Sequence, residues 1–201
     1  MLAKVLQFRP VRRIVTRRPP GPVDPTRRRH LLPEEVEALI RVAPWPDSAA
    51  ILTCWVHGLR MQEFARLRWE QIDLARRVLH IWRLKHGLAA DHPIPQREAA
   101  NLLRLAEGMK PSELVFPAPR GGPWSEPAWT YRLRRAARAA GLEHLGVHPH
   151  MLRHACGYYL TNERGWDIHR VAAYLGHRKL EVTRGYAQLA PRQFAGAWED
   201  V

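Results

Sequence analysis

The stretch His148-Pro149-His150-Met151-Leu152-Arg153-His154 gathers three histidines and an arginine into seven residues. Proline pre-sets the backbone of a first helical turn, so a helix starts near Pro149. On it His150, Arg153 and His154 share one face through i,i+3 and i,i+4 spacing. Taken alone the stretch has two competing readings. With Cys156 close by, one is a zinc site, but zinc asks for deprotonated ligands at pairwise spacing from a second element. The only other thiol, Cys54, has nothing ligand-like near it except His57. The other reading is a set of ordinary core and surface histidines.

The neighbouring segments change the balance. Downstream come Leu175-Gly176-His177 and, nine residues on, Tyr186 within Thr183-Arg184-Gly185-Tyr186. Upstream lie Gly58-Leu59-Arg60-Met61-Gln62-Glu63 and Lys85 within Leu84-Lys85-His86-Gly87. This ordered set resembles the tyrosine recombinase (phage integrase) family, whose catalytic domain carries an arginine box, a lysine on a hairpin, an H-x-L-R-H box, an L-G-H box and a terminal nucleophilic tyrosine. Six expected positions are filled in order across residues 58 to 186; Gln62 alone departs, replacing a small polar residue. Any single box would be weak, whereas the ordered set is specific. The segments His148 to Gly157, Tyr174 to Arg178 and Phe194-Ala195-Gly196-x-Trp198-Glu199 look most like the short fimbrial phase-variation recombinases, or fimbrial invertases. That likeness spans roughly residues 31 to 199.

The resemblance implies an enzyme that breaks and rejoins DNA strands at specific sites through a covalent 3′-phosphotyrosine, with inversion or integration and excision as outcomes. It implies a mainly α fold with a small antiparallel β-sheet or hairpin, the tyrosine recombinase catalytic domain. Tyr186 is then the nucleophile, because a phenolate both attacks phosphorus and leaves it again. Arg60 and Arg153 present forked N–H donors to the scissile phosphate and stay charged at physiological pH. Lys85 protonates the departing 5′ oxygen, His150 assists proton movement at the tyrosine, and His177 hydrogen-bonds the phosphate. Glu63 buttresses Arg60, since a carboxylate beside the phosphate would repel it. No metal and no cofactor is expected, the cationic side chains supplying the charge neutralisation. The partners implied are double-stranded DNA and further copies of the chain, a tetramer on DNA and a weaker or monomeric state when free.

Composition agrees with a nucleic-acid partner. The 201 residues carry a formal net charge of +13, with 32 Lys+Arg against 19 Asp+Glu, and a charge of that sign attracts polyanions. Much of it is separable. Residues 1 to 29 hold nine basic residues and the single acid Asp24, with prolines at 10, 19, 20, 22 and 25. Proline at that density forbids a long helix and breaks any amphipathic transit peptide, so 1–30 is expected to be a flexible basic arm. About five charges then remain for the domain, expected over 31–190; 191–201 is a tail whose apolar aromatic strip needs a partner, either the chain's own core or, as the resemblance implies, a neighbouring subunit on which it is exchanged. Within the domain, Arg132, Arg134, Arg135 and Arg138 on a polar helix face, together with Arg178, are the candidate DNA contacts. A content of 46% hydrophobic residues allows a real core, and no apolar run reaches membrane-spanning length, so no membrane role is expected. Two distant cysteines suit a reducing compartment, the bacterial cytoplasm, with nucleoid association when bound to DNA.

A helix opens within Leu31-Leu32-Pro33-Glu34-Glu35, proline at a first helical position and acids in the first turn, and runs to about Val42. Asp47 or Ser48 caps a second that Gly58 ends, and further helices are predicted over 61–67, 96–107, 125–140, 149–163, 167–175 and 180–188. Val78 to Trp82 and His92 to Pro95 read as a hairpin, and Leu114 to Phe116 as a short extended piece. Trp55, Trp69 and Trp82 are assigned to the core, Tyr131, Tyr158, Tyr159 and Tyr174 to packing, and both cysteines to buried apolar sites. Two other functions fit the same residues: a non-catalytic DNA-binding regulator or accessory factor, and a relaxing topoisomerase that needs neither a fixed site nor assembly.

Overall fold

Pro33 and the acids Glu34 and Glu35 begin helix α1 (Pro33–Val42), where the Glu35 carboxylate accepts the Leu32 backbone N–H at 2.7 Å. The computed structural model describes residues 30–82 and 89–177. Val36, Leu39 and Ile40 form the buried stripe of α1, which packs on the central helix α2 (Asp47–His57). Helix α2 buries Ala49, Ala50, Ile51, Leu52, Thr53 and Cys54 in unbroken succession, as a helix enclosed by others must. Asp47, expected as its cap, makes no capping bond; it is buried and accepts from Arg132 instead.

Helix α3 (Met61–Ala65) is shorter than predicted. Strands β1 (Ile72–Asp73), β2 (Val78–Ile81) and β3 (Ala90–Pro93) form an antiparallel sheet in chain order. The hairpin is as predicted, although β3 begins at Ala90 and ends at Pro93, and β1 is too short to leave a period in the sequence. Leu79 pairs with His92 and Ile81 with Ala90; Leu79, Ile81 and His92 are buried, the inward set of a period-two alternation. Trp82 follows Ile81 and so faces outward, 54% exposed, rather than lying in the core as expected.

Helix α4 (Gln96–Ala106) packs on α2. Of the predicted extended piece Leu114–Phe116, Leu114 alone forms a bridge, with Arg68, and the chain bends at Val115 and Phe116, Val115 donating its N–H to the Leu67 carbonyl at 2.9 Å. Helix α5 (Glu126–Ala139) is capped by the Ser125 hydroxyl and buries Trp129, Leu133, Ala136 and Ala137. Tyr131 lies on the opposite side of that stripe and is 65% exposed, against the packing role expected for it. Helix α6 (Pro149–Tyr158) begins at its proline but stops short of 163. A π turn over Tyr159–Glu163 follows, where the Thr161 hydroxyl donates to the Gly157 carbonyl at 2.8 Å and the Asn162 amide to that of Tyr158 at 3.0 Å; side-chain bonds of this kind compete with the regular ladder. Helix α7 (Ile168–Leu175), capped by Asp167, ends at Gly176 and packs on β3.

Trp69 and both cysteines are buried, and Trp55 is packed against the core. Tyr158, Tyr159 and Tyr174 each lie against another ring. The predicted helix 180–188, residues 1–29 of the arm and the tail fall outside the described residues; His30, assigned to the arm, is buried and stacks on Tyr158, so it belongs to the domain. Among those described, no helix is long and apolar enough to cross a membrane.

Candidate active site

Two helices end at one place. Helices α2 and α7 both terminate in a left-handed glycine, Gly58 (φ 55°) and Gly176 (φ 64°). A Cβ on Gly58 would stand 2.4 Å from Leu175 Cδ2 and 3.2 Å from Cys156 Sγ. Glycine is thus required both by backbone conformation and by the close approach of α6 and α7.

The last carbonyls of these helices hold the two arginines. Arg153, 2% exposed, donates from Nη1 to the Gly58 carbonyl at 2.5 Å and from Nη2 to that of Leu175 at 2.6 Å. Arg60 donates from Nη2 to the Gly176 carbonyl at 3.1 Å and from Nη1 to Glu63 Oε1 at 2.7 Å. Glu63, itself buried, also accepts the Arg60 backbone N–H at 2.8 Å. The negative ends of two helix dipoles and one carboxylate therefore offset two guanidiniums held side by side. The Arg60 side chain remains 36% exposed. With five N–H donors on a guanidinium, it retains donors for an anion arriving from solvent. Glu63 is the buttress that the sequence suggested.

His150 stands in the first turn of α6, exposed, its ring edge-on to His154 at a 4.3 Å centroid distance. Partial burial lowers its pKa, and Arg153, His148 and Arg60 lower it further; both arginines thus act on this imidazole and favour its neutral form. His154 is pushed down to about 4 by burial, then by His150, Arg153, His148 and His30. His177 follows Gly176 directly, its N–H donated to the Ala172 carbonyl at 2.9 Å. Arg60, Arg153, His150 and His177 therefore meet where α2, α6 and α7 join. Lys85, Arg178 and Tyr186 lie outside the described residues.

The four arginines of α5 separate into different environments. Arg132, expected on a DNA-facing surface, donates from Nε to buried Asp47 at 2.6 Å and leans toward the Trp124 ring; it is a strut between α5 and α2. Arg138 donates to Glu143 on the surface at 2.8 Å. Arg134 and Arg135 are exposed. Arg134 lies near enough to His148 to lower its pKa, after the larger effect of burial, which puts Arg134 on the histidine side of the domain. The zinc alternative finds no support among the described residues, where no three His, Cys, Asp or Glu side chains are placed to hold a metal. The carbonyls of Gly58, Leu175 and Gly176 are site groups that residue types do not reveal. The only trace they leave in sequence is a glycine after each helix.

Comparison with known proteins gives the chain a family and relatives of the same fold. The chain matches the phage integrase family over residues 29–193. It is 35% identical over 186 residues to the type 1 fimbriae regulatory protein FimB of Escherichia coli K12, covering 88% of this chain and 92% of that one. Among solved structures it is similar to the XerA recombinase (TM-score 0.74, 20% identity, covering 86% of this chain and 66% of that one). It is also similar to the Tn1549 transposon integrase in complex with transposon right end DNA (TM-score 0.71, 18% identity, covering 87% and 66%). These structures share its mostly helical fold with a small antiparallel sheet. With this family match over most of its length and its two arginines gathered on the ends of α2 and α7, the chain belongs to the phage integrase family, the tyrosine recombinases.

Proposed function

We propose that the chain is a site-specific recombinase that cuts and rejoins double-stranded DNA through Tyr186. The observation that carries this reading is the convergence of Arg60 and Arg153, from distant parts of the chain, on the carbonyls that end α2 and α7, beside His150 and His177. The two guanidiniums suit the non-bridging oxygens of one phosphate, where preorganised donors are worth about 3 kcal/mol each toward a negatively charged transition state. Neutral His150 accepts a proton, and His177 donates a hydrogen bond to the same phosphate. The Tyr186 oxygen attacks phosphorus as the bond to the 5′ oxygen breaks, Lys85 gives that oxygen its proton, and a 3′-phosphotyrosine forms. The 5′ hydroxyl of a second strand reverses the step. One phosphoester is exchanged for another each time, so the chemistry needs no ATP.

Exposed Arg134 and Arg135, with Arg178, serve as contacts to the DNA backbone. On DNA the protein acts as a tetramer, with 30–190 as catalytic domain, the basic residues 1–29 as an added grip and 191–201 as the exchanged tail; the cytoplasm is its compartment. The test is a nicked duplex bearing the sequence that the protein itself enriches from a random pool. A denaturation-resistant adduct is expected, and Tyr186→Phe should abolish it. An adduct that survives Tyr186→Phe overturns the assignment. The regulator alternative draws on the name of FimB; it is supported instead if salt-sensitive DNA binding occurs with no adduct.

A further inference from the structure

Behind the two arginines lies a polar chain inside the core. Thr53 donates its hydroxyl to Glu98 Oε1 at 2.6 Å, and Glu98 Oε2 lies 3.0 Å from His57 Nε2. His57 Nδ1 in turn lies 3.3 Å from His92 Nδ1. All four side chains are at most 1% exposed. The His92 ring stacks on that of Tyr174, centroids 3.7 Å apart and 20° from parallel. The Tyr174 hydroxyl donates to the Val56 carbonyl at 3.0 Å. The chain therefore runs from α4 through α2 to β3 and ends on α7.

Its chemistry has a direction. As a carboxylate Glu98 can only accept, and His57 then carries a proton on Nε2. The two facing Nδ1 atoms share a single proton, since two lone pairs or two N–H groups would repel. If His57 is neutral, His92 donates from Nδ1; if His57 is charged, His92 accepts there. Either way the rings lock each other, and β3 is held against α2 at a defined distance. The nearby Cys54 thiol is pushed up, by burial first and then by the Glu98 charge, which keeps it out of the ionic balance.

Burying a carboxylate and two imidazoles is a costly way to fill a core, as apolar residues of similar volume are often at least as stabilising. The position of the chain shows what it does instead. Tyr174 immediately precedes Leu175 and Gly176, whose carbonyls hold Arg153 and Arg60. Val56 lies two residues before Gly58, whose carbonyl also holds Arg153. Tyr174 is thus pinned by its hydroxyl to one arginine-bearing helix end and by its face to β3. In sequence, β3 follows the segment that contains Lys85.

We propose that Glu98, His57 and His92 form a positioning relay, which through Tyr174 sets the separation of the two arginine-bearing helix ends and ties it to the strand following Lys85, so that it governs strand cleavage without touching DNA. The relay rests on the recombinase reading above.

His92→Phe tests it, because it keeps a ring against Tyr174 and removes the Nδ1 contact. On the enriched nicked duplex at saturating DNA, adduct formation should slow about tenfold or more, the effect of a sub-ångström displacement of catalytic groups, while DNA affinity stays as in the unsubstituted protein. An unchanged rate overturns the relay. So does a rate loss matched by an equal loss of DNA affinity, since a merely structural residue would give that. Nitrogen-15 spectra of the histidine rings in the unsubstituted protein supply a readout that depends neither on activity nor on the variant's folding. A proton on His57 Nε2 and one proton shared between the Nδ1 atoms is expected, and two neutral rings both protonated on Nε2 would refute the relay. Absence of any adduct with the unsubstituted protein instead overturns the recombinase reading and the cleavage role with it, leaving the spectra to judge the hydrogen-bonded chain alone.

Discussion

Replacing Gly58 by alanine puts the junction of the two helix ends under direct strain. The new Cβ would meet Leu175 Cδ2 at 2.4 Å and Cys156 Sγ at 3.2 Å, and the residue would have to hold φ at 55°. An L-residue in the left-handed region costs roughly 1–2 kcal/mol, and overpacking a filled core adds about 1–3 kcal/mol. Leu175 is 0% exposed and has little room to move aside. The sum, about 2–5 kcal/mol, corresponds to a melting temperature lower by roughly 5–20 °C for a chain of this size. Gly146→Ala is the matched control, because Gly146 has φ 60° and nothing within 4 Å of the added carbon; it should cost only about 1–2 kcal/mol, the conformational part. Displacing Leu175 also shifts the carbonyls under Arg153, so adduct formation by Gly58→Ala should fall about 10- to 100-fold beyond any loss of folded protein. Differential scanning calorimetry and the nicked-duplex assay read the two effects. If Gly58→Ala melts with Gly146→Ala and cleaves at the wild-type rate, the close approach of α2 and α7 is not what positions the arginine.

Arg153→Lys keeps the charge but not the fork that spans the Gly58 and Leu175 carbonyls; single-turnover cleavage should drop about 100-fold or more with DNA affinity little changed, and near-normal cleavage would refute the bidentate role. The folded-state pKa of His154, pushed down to about 4, lies below the unfolded value near 6.5. The unfolded chain therefore binds more protons in that window, and stability should rise from about pH 4 to 6.5 and level off above it. Urea unfolding at several pH values checks this, and His154→Gln should flatten the slope. Arg132→Ala strands the carboxylate of Asp47, which is 5% exposed, and should cost about 1–3 kcal/mol in urea unfolding. Arg134→Ala should leave stability alone but weaken DNA binding and reduce its salt dependence by about one unit of slope; fluorescence anisotropy over a salt series separates the two.

Residues that act through their immediate neighbours are legible in the sequence. Pro33 with its acids, Pro149, Ser125 and the glycines after α2 and α7 mark helix ends by local conformational preference, and α1, α2, α5, α6 and α7 begin close to their predicted starts, although α6 ends at Tyr158, short of 163. Legibility fails where alternation has to be carried past an element's end, as at Trp82, or where a face has to be assigned, as at Tyr131. The π turn after Tyr158 and the two-residue strand β1 leave no period to detect. In the sequence His57 stands out only as a neighbour of Cys54, because its partners Glu98 and His92 are 41 and 35 residues away.

By itself the sequence determined the family, because an ordered series of arginine, lysine, histidine and tyrosine positions is a chemical signature independent of coordinates. It also marked Glu63 as the buttress of Arg60, since a carboxylate beside a bound phosphate would repel it. Only the tertiary structure decided what each arginine does. Arg132 and Arg134 sit two residues apart on one helix, yet one is paired with a buried acid and the other is exposed on the histidine side. Arg153, enclosed in the core, rests on carbonyls from two separate helix ends. The physical reason is that a guanidinium is the same group everywhere in a sequence. Its role is set by the acceptors and the dielectric around it, and those are supplied by segments distant in the chain.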